Sequence, residues 1–360
     1  MSPFSYNMLP AGGMLEIVFF LTALVVARLP RRNMIWLFLL AGLYVVVSFA
    51  LMRVSHPANV LDFIQAYKAF IYIVPLCMFV RSGVFSAAAS ARLLKLLIVL
   101  FLIKYGYSLA LDFNARMGSR PGIYVENNYE LIFLILVFYV LRNALGPRRM
   151  LWLALLSVLV AISGSRSSVL ALVVMFFGIY MTRLSLKTFF YALGFIVLLA
   201  GAALVFVERS AGGGVEDIDR YRFLMVFLSE TSSWSIWNYA FGTMPLTPLS
   251  THACNALSYY ETLFSFSGDG SCYSVILHSY LLRALFDHGV LGLLFLLFFI
   301  ARSLRVSGYS KVDVLVVLGV ILSSAVSVSA MNSVFVSLGL MLALGMRREP
   351  APTSPAASGH

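Results

Sequence analysis

Charged side chains and familiar enzyme motifs are both scarce in this chain. Only 11% of its 360 residues are Asp, Glu, Lys or Arg, whereas soluble domains carry about 25%. No HExxH, GxSxG or paired CxxC pattern is present, and the Gly run at 212–214 lacks the Lys of a phosphate-binding loop. The scattered histidines have no metal-ligand spacing. These absences exclude an ordinary soluble enzyme, and we predict neither a metal nor another cofactor.

Hydrophobic residues make up 61% of the chain and fall into repeated blocks of a length that can cross a bilayer as a helix. Backbone polar groups must be satisfied internally in lipid, so the blocks are predicted to be helical. The fold class is therefore all-α, a polytopic membrane protein with about eleven transmembrane helices. We predict spans at 12–27, 34–51, 60–80, 94–110, 128–143, 150–163, 168–182, 188–207, 280–301, 312–330 and 332–346.

The net charge of +11 resides mainly in alternate short connections between these blocks. Such a bias marks the cytoplasmic side of a membrane protein and does not indicate nucleic-acid binding. It predicts an outside N-terminus and an inside C-terminus. The basic residues that define the cytoplasmic side are Arg28, Arg31, Arg32, Arg81, Arg92, Lys95, Arg142, Arg148, Arg149, Arg183, Lys187, Arg302, Arg305, Lys311, Arg347 and Arg348.

The predicted organisation has four parts: transmembrane helices over 1–207, an extracytoplasmic loop over 208–279, three further transmembrane helices over 280–346, and a disordered cytoplasmic tail over 347–360. Within the loop, residues 217–228 are typical of an amphipathic interfacial helix, and Trp234 and Trp237 suit the aromatic belt. Cys254 and Cys272 also lie in the loop. Outside the cytoplasm they can form a disulfide, although the sequence equally allows two free thiols.

His278 ends the loop immediately before a strongly apolar block. An imidazole, with an ordinary pKa of about 6.5, can act as a general base at neutral pH, and ionisable groups at a membrane are often functional. The alternative is a polar residue that caps the helix. Arg283 and Asp287 are four residues apart and share a helix face, where they form either a structural ion pair or part of a catalytic site.

Several arginines lie on the predicted outer side, where the topology rule does not require them. The planar guanidinium matches two oxygens of a phosphate and keeps its charge. Arg166 occupies a tight Ser-Gly-Ser-Arg-Ser-Ser turn between two spans. Arg120 precedes a Pro-Gly turn that leads to Asn127 and Asn128, which either bind sugar hydroxyls or cap a helix. Arg220 and Arg222 lie in the amphipathic segment of the loop.

The third span carries a polar stripe of Asp62, Gln65, Lys68 and Tyr72 on one broad helical face. Such a stripe must face the bundle interior or a wet cavity. It either lines a substrate groove or forms polar contacts between helices.

Four segments together resemble the O-antigen polymerase and O-antigen ligase superfamily of bacterial envelopes. They are 120–128 (Arg-Pro-Gly-Ile-Tyr-Val-Glu-Asn-Asn), 163–172 (Ser-Gly-Ser-Arg-Ser-Ser-Val-Leu-Ala-Leu), Arg222 with Gly242 twenty residues later, and 278–283 (His-Ser-Tyr-Leu-Leu-Arg) with the Gly-Val-Leu-Gly that begins at Gly289. The family often carries Asn after the histidine, where this chain has Ser279.

The resemblance implies a metal-independent glycosyltransferase with a GT-C-like membrane fold, in a bacterial inner membrane with its site facing the periplasm. The implied donor is a glycan on polyprenyl diphosphate, and His278 would activate an acceptor sugar hydroxyl. Asn127, Asn128 and Tyr280 are the candidate glycan-binding residues. The implied diphosphate-binding residues are Arg120, Arg166, Arg220, Arg222 and Arg283.

The implied activity is that of a polysaccharide polymerase that joins lipid-linked repeat units, with a chain-length regulator as a candidate partner. A ligase that transfers the glycan to lipid A core is the nearest alternative, because it differs only in the acceptor. A flippase for the same lipid-linked glycan is less favoured, since flippases place ionisable groups at mid-membrane and often have repeated halves.

Overall fold

The computed structural model describes residues 11–26, 30–55, 58–110, 127–180, 219–325 and 330–347. Within these ranges the chain is helical and contains no strand beyond a single bridge between Phe85 and Met346. The all-α expectation is therefore confirmed. The predicted eighth span at 188–207 and the tail beyond residue 347 lie outside the described residues.

Thirteen α-helices are described. We number them α1 (Ala11–Val26), α2 (Arg32–Ser55), α3 (Val60–Phe79), α4 (Ala87–Ala110), α5 (Asn127–Leu141), α6 (Arg149–Ser163), α7 (Arg166–Tyr180), α8 (Asp219–Glu230), α9 (Ile236–Phe241), α10 (Thr251–Ala256), α11 (Tyr280–Val306), α12 (Lys311–Ala325) and α13 (Val334–Gly345). Two short 3-10 helices, Ser258–Leu263 and Ser274–Ile276, lie between α10 and α11.

Every predicted span that falls on described residues coincides with a helix. Three of these helices, α2, α3 and α11, are long and apolar enough to cross a membrane by themselves. Shorter apolar helices occupy most of the other positions. The membrane class is thus supported, whereas the number of eleven crossings and the GT-C-like arrangement stay predictions.

The outward faces of several helices expose large apolar side chains. In the most apolar stretch of α2, 22% of the residues are buried, and the outward faces of α1 and α4 also expose large aliphatic side chains. A soluble monomer rarely exposes contiguous apolar patches of this kind. The outward faces are therefore suited to contact with lipid.

Local chemistry sets several helix boundaries near the functional region. The Asn59 side chain accepts a hydrogen bond from the Leu61 amide and begins α3, and Ser333 begins α13 in the same way. Gly164 ends α6 in the left-handed conformation with φ of 61°, which permits the abrupt turn into α7.

The connections that the charge pattern assigns to the cytoplasmic side lie together at one end of the bundle. The Arg81 amide, after α3, donates to the carbonyl of Leu344 at the end of α13. Arg142, after α5, forms an ion pair of 2.6 Å with Asp313 at the start of α12. We call this the basic end. The structure therefore gathers, at one end, helix termini that the sequence predicts to share a side.

The opposite end is capped by the described part of the long loop, α8 to α10 with the two 3-10 helices. Phe223, Leu249 and Ile276 are buried in a small apolar core of the cap, and Phe286 of α11 joins them. Cys254 and Cys272 form a disulfide across this core, with a Cα–Cα distance of 5.8 Å. The cap is thus a packed unit seated on the bundle.

Helix α11 bends sharply at Gly289, whose φ of 65° and ψ of −174° are non-helical. A Cβ at this position would overlap the Ala240 carbonyl and the Gly242 amide, so glycine is required for the close approach of α9. Thr243 donates from its amide to the Phe286 carbonyl at 2.9 Å. The bend therefore forms the contact surface between the cap and the bundle.

Candidate functional site

A polar cavity of about 440 Å³ opens at the capped end, between α1, α3, α13 and the loop. Its lining combines acidic, basic, amide and imidazole side chains with aromatic rings. Its polar lining includes Glu16, Asp62, Gln65, Lys68, His278 and Arg283. So dense a set of ionisable groups beside lipid marks a candidate site.

The polar stripe of α3 forms one wall of this cavity. Asp62, Gln65 and Lys68 all line it. The Lys68 ammonium pairs with the Glu16 carboxylate of α1 at 2.7 Å, and the Tyr72 hydroxyl donates to the same carboxylate at 2.9 Å. The two interpretations of the stripe are thus compatible, because it both connects α1 to α3 and lines a groove.

Residues 263–266, which we call the strap, line the cavity on the side of the cap. The Asp62 carboxylate accepts a hydrogen bond from the Ser265 hydroxyl at 2.8 Å and from the Phe266 amide at 3.2 Å. The strap lies inside the chain segment closed by the disulfide of Cys254 and Cys272. The disulfide and the hydrogen bonds to Asp62 therefore both restrict the position of the strap.

Arg283 lies in the first turns of α11 and is 8% exposed. One terminal nitrogen, Nη2, donates to the Gln65 carbonyl at 3.3 Å, and Nε has no hydrogen-bond partner among the described residues. No carboxylate in the described chain lies within ion-pair distance of it. A buried cation without a direct carboxylate contact is costly, so this guanidinium is suited to an anionic ligand in the cavity.

The predicted ion pair between Arg283 and Asp287 is not formed. The Asp287 carboxylate instead accepts a hydrogen bond of 2.6 Å from the Ser274 hydroxyl of the second 3-10 helix. That contact joins the cap to α11. The ion-pair interpretation was wrong because helical spacing brings two side chains onto one face but does not decide which neighbour each one meets.

His278 lines the cavity and is half-buried. Its ring lies 5.4 Å from that of Phe223 and 5.0 Å from that of Tyr260, which orients it within the cap. Ser279 is the N-cap residue of α11, and its side chain makes no capping hydrogen bond. His278 therefore lies one position before the N-cap residue.

His288 has a different environment and is fully enclosed. Its Nδ1 lies 2.9 Å from the Tyr44 hydroxyl, and its Nε2 lies 3.3 Å from the Ala66 carbonyl. A carbonyl can only accept, so Nε2 carries the proton and Nδ1 accepts from Tyr44. The rings of Tyr67 and Phe70 complete the enclosure. His288 is consequently suited to a structural task.

Asn332, which we did not predict, fixes the geometry of the α3 wall. Its amide nitrogen donates to the Gln65 carbonyl at 3.1 Å, and its oxygen accepts from the Ala69 amide at 3.0 Å. It therefore bridges two backbone groups one turn apart and holds α13 against α3. Glu16 was also missed, although an acid within the first apolar block was an available signal.

The two other predicted arginines whose side chains are described do not line this cavity. Arg166, at the start of α7, and Arg222, in α8, are both exposed and lie outside its lining. The side chain of Arg220 and the whole of Arg120 lie outside the described residues. The structure thus brings Arg283 together with His278, and does not bring Arg166 or Arg222 into the same cavity.

The candidate glycan-binding residues are only partly described. Asn127 and Asn128 begin α5, but their side chains lie outside the described part of the chain. Tyr280 is buried outside the cavity lining. The neighbouring Tyr129 does line the cavity, with its ring stacked 6.3 Å from that of Phe335. This aromatic pair therefore forms a flat apolar part of the cavity wall.

Tyr273, in the cap, is another ionisable group near the strap. Burial is the main cause that raises the pKa of its phenol, and the negative charges of Asp269 and Asp62 act in the same direction. The phenol is therefore protonated at neutral pH, and it is not a candidate base.

No group of three metal-ligating side chains occurs among the residues that the structure describes.

Comparison with protein-family models, with curated proteins and with solved structures finds no match to this chain. The case for a function therefore depends on the cavity and on the sequence pattern.

Proposed function

We propose that this chain is a membrane-embedded glycosyltransferase that joins lipid-linked glycan units, of the O-antigen polymerase type. The observation that carries the proposal is the cavity in which His278 and the buried Arg283 lie together. One group can accept a proton, the other can bind an oxyanion, and carboxylates, an amide and aromatic rings surround them. That combination suits a reaction between a sugar hydroxyl and a glycosyl diphosphate.

In the proposed reaction, His278 takes the proton of the acceptor hydroxyl. The oxygen of that hydroxyl attacks the anomeric carbon of the donor. The bond between that carbon and the diphosphate oxygen breaks, and the diphosphate leaves with the electron pair. Arg283 stabilises the charge that develops on the leaving group, a task for which one donor is worth roughly 3 kcal/mol. Cleavage of the bond between the sugar and the diphosphate supplies the free energy for the transfer.

The sidedness of the molecule supports a lipid-linked donor. The cavity lies at the end opposite the basic end, so the positive-inside rule assigns it to the outer face. A polyprenyl diphosphate anchors its glycan at that surface. Arg166 and Arg222, at the same predicted face, remain candidates to hold phosphate oxygens that extend beyond the cavity.

The test is reconstitution of the purified protein in liposomes with a polyprenyl-diphosphate-linked repeat unit. Wild type should yield a ladder of longer chains. His278→Ala should slow chain growth by about 100-fold or more, because a positioned base contributes roughly that factor. His252→Ala, an exposed histidine of the same cap, is the matched control and should leave the ladder unchanged.

Other outcomes assign other functions. Transfer only when lipid A core is supplied would make the protein a ligase. Movement of the substrate across the bilayer without joining would make it a flippase. A normal ladder from a correctly folded His278→Ala protein would remove His278 from the mechanism.

A further inference from the structure

Helix α9 is an apolar element within the loop that the sequence predicts to be extracytoplasmic. It contains no charged residue, and its exposed side chains are large: Ile236 is 76% exposed, Trp237 70% and Phe241 58%. Contiguous exposure of this kind marks an interaction surface. The question is which surroundings cover it.

The depth of α9 follows from its contact with α11. Its C-terminal Gly242 packs against the bend at Gly289. Thirteen residues separate Gly289 from Arg302, the first basic residue of the cytoplasmic side. At 1.5 Å per residue this is about 20 Å, whereas the hydrocarbon layer is about 30 Å thick. The bend therefore lies roughly 10 Å inside the outer boundary of the hydrocarbon.

Helix α2 gives the same depth independently. The Tyr44 hydroxyl contacts His288, beside the bend, and Tyr44 lies twelve residues from Arg32 at the basic end. That distance corresponds to about 18 Å along the helix. Lower in the bundle, Trp36 of α2 contacts Phe298 of α11 with ring centroids 5.7 Å apart, so the two helices keep one register.

The backbone of α9 is equipped for surroundings without water. Ser235 and Asn238 form a reciprocal capping box at its start, and the Gly242 amide donates to the Asn238 carbonyl at its end. The Tyr239 hydroxyl donates to the Thr231 carbonyl in the turn before it. Satisfied termini are required of any element in hydrocarbon, because each unpaired group there costs several kcal/mol.

We propose that α9 is a re-entrant helix whose exposed face, Ile236, Trp237 and Phe241, contacts the acyl chains of the outer leaflet. The cap is consequently anchored in the bilayer at the bend of α11 and does not project as a wholly aqueous loop. This inference does not depend on the proposed reaction.

The test measures the depth of one side chain in liposomes. Trp237→Cys is prepared in a Cys77→Ser background and labelled with an environment-sensitive fluorophore, and Tyr259→Cys in the same cap is the control. Tyr259 is 87% exposed and lies in the 3-10 helix that leads to the strap. Quenching is measured with nitroxide-labelled acyl chains and with aqueous iodide.

A label at 237 should be quenched several-fold more by the nitroxide lipid than a label at 259, with the opposite order for iodide. Equal quenching of both labels by iodide would place α9 in water and overturn the proposal. Protection of position 237 from both quenchers would also overturn it, because it would show that protein covers this face.

Discussion

Buried charge occurs at both ends of this bundle, but Arg283 at the capped end has fewer polar contacts than the pair of Arg142 and Asp313 at the basic end. At the basic end, Asp313 accepts from Arg142 at 2.6 Å, from the Tyr139 hydroxyl at 2.9 Å and from the amide and hydroxyl of Ser310. At the capped end, Arg283 has an unpartnered Nε and no acid within ion-pair distance among the described residues. A saturated cluster suits a structural role, whereas an unsaturated group that borders a cavity suits ligand binding.

Neutralising one arginine at each end tests whether the two arginines have different roles. Arg283→Gln should reduce glycan transfer by about 100-fold or more, because it removes charge stabilisation of the leaving group. Its free energy of unfolding should change less than that of an arginine in direct contact with an acid, since no carboxylate among the described residues lies within ion-pair distance of Arg283. Transfer is measured in liposomes and stability by chemical denaturation in detergent.

Arg142→Gln should behave in the opposite way. It leaves Asp313 without its cation and should lower the free energy of unfolding by about 3 kcal/mol, while folded protein keeps its transfer rate. If Arg283→Gln proved to be the destabilised and active variant, the distinction between the two ends would be wrong.

The bend of α11 allows a test of the cap against the bundle. Gly289→Ala should lower the free energy of unfolding by about 3 kcal/mol, because a Cβ meets the Ala240 carbonyl and the φ of 65° is unfavourable for alanine. Gly42→Ala in α2 is the control, since no atom lies within 4 Å of the added Cβ. Equal melting temperatures for the two variants would contradict the close packing of α9 on α11.

The disulfide should stabilise the cap and leave the bundle unaffected. Replacing both Cys254 and Cys272 by Ser should lower the stability of the cap by about 2 to 3 kcal/mol, as expected for a closed loop of this size. Limited proteolysis of the unreduced protein in liposomes measures the effect. Cys77→Ser in α3 is the control, and identical cleavage rates for all three proteins would argue against a stabilising bridge.

The smallest expected effect concerns the strap. Asp62→Asn retains an acceptor for Ser265 and Phe266 but loses the negative charge, so the strap should be less firmly held by about 1 kcal/mol. We expect a rise of several-fold in KM for the lipid-linked donor with kcat nearly unchanged. Asp269→Asn, on the far side of the strap, should leave both constants as they are.

The sequence predicted helix positions well because a hydrophobic run long enough to cross lipid is a local property. It also grouped the basic connections that meet at one end. It could not show that Asp287 contacts Ser274 in preference to Arg283, or that Asn332 bridges two backbone groups of α3. Those outcomes depend on how helices rotate and pack, and the same hydrophobic pattern permits many rotations.

Two histidines near the start of α11 illustrate this limit. His278 immediately precedes the apolar block that becomes α11, and His288 lies ten residues later, within that block. Only in the packed structure does the His288 ring contact the Tyr44 hydroxyl and the Ala66 carbonyl, each more than 200 positions away in sequence. The same packing places His278 in the lining of the cavity.

By itself, the sequence determined the membrane class, the helix positions and the side on which positive charge collects, because lipid imposes these through local composition. Only the tertiary structure shows which of the described arginines lines the cavity, which histidine is enclosed and where α9 packs on α11. These properties depend on contacts between distant segments, and no local pattern encodes the direction in which a helix faces.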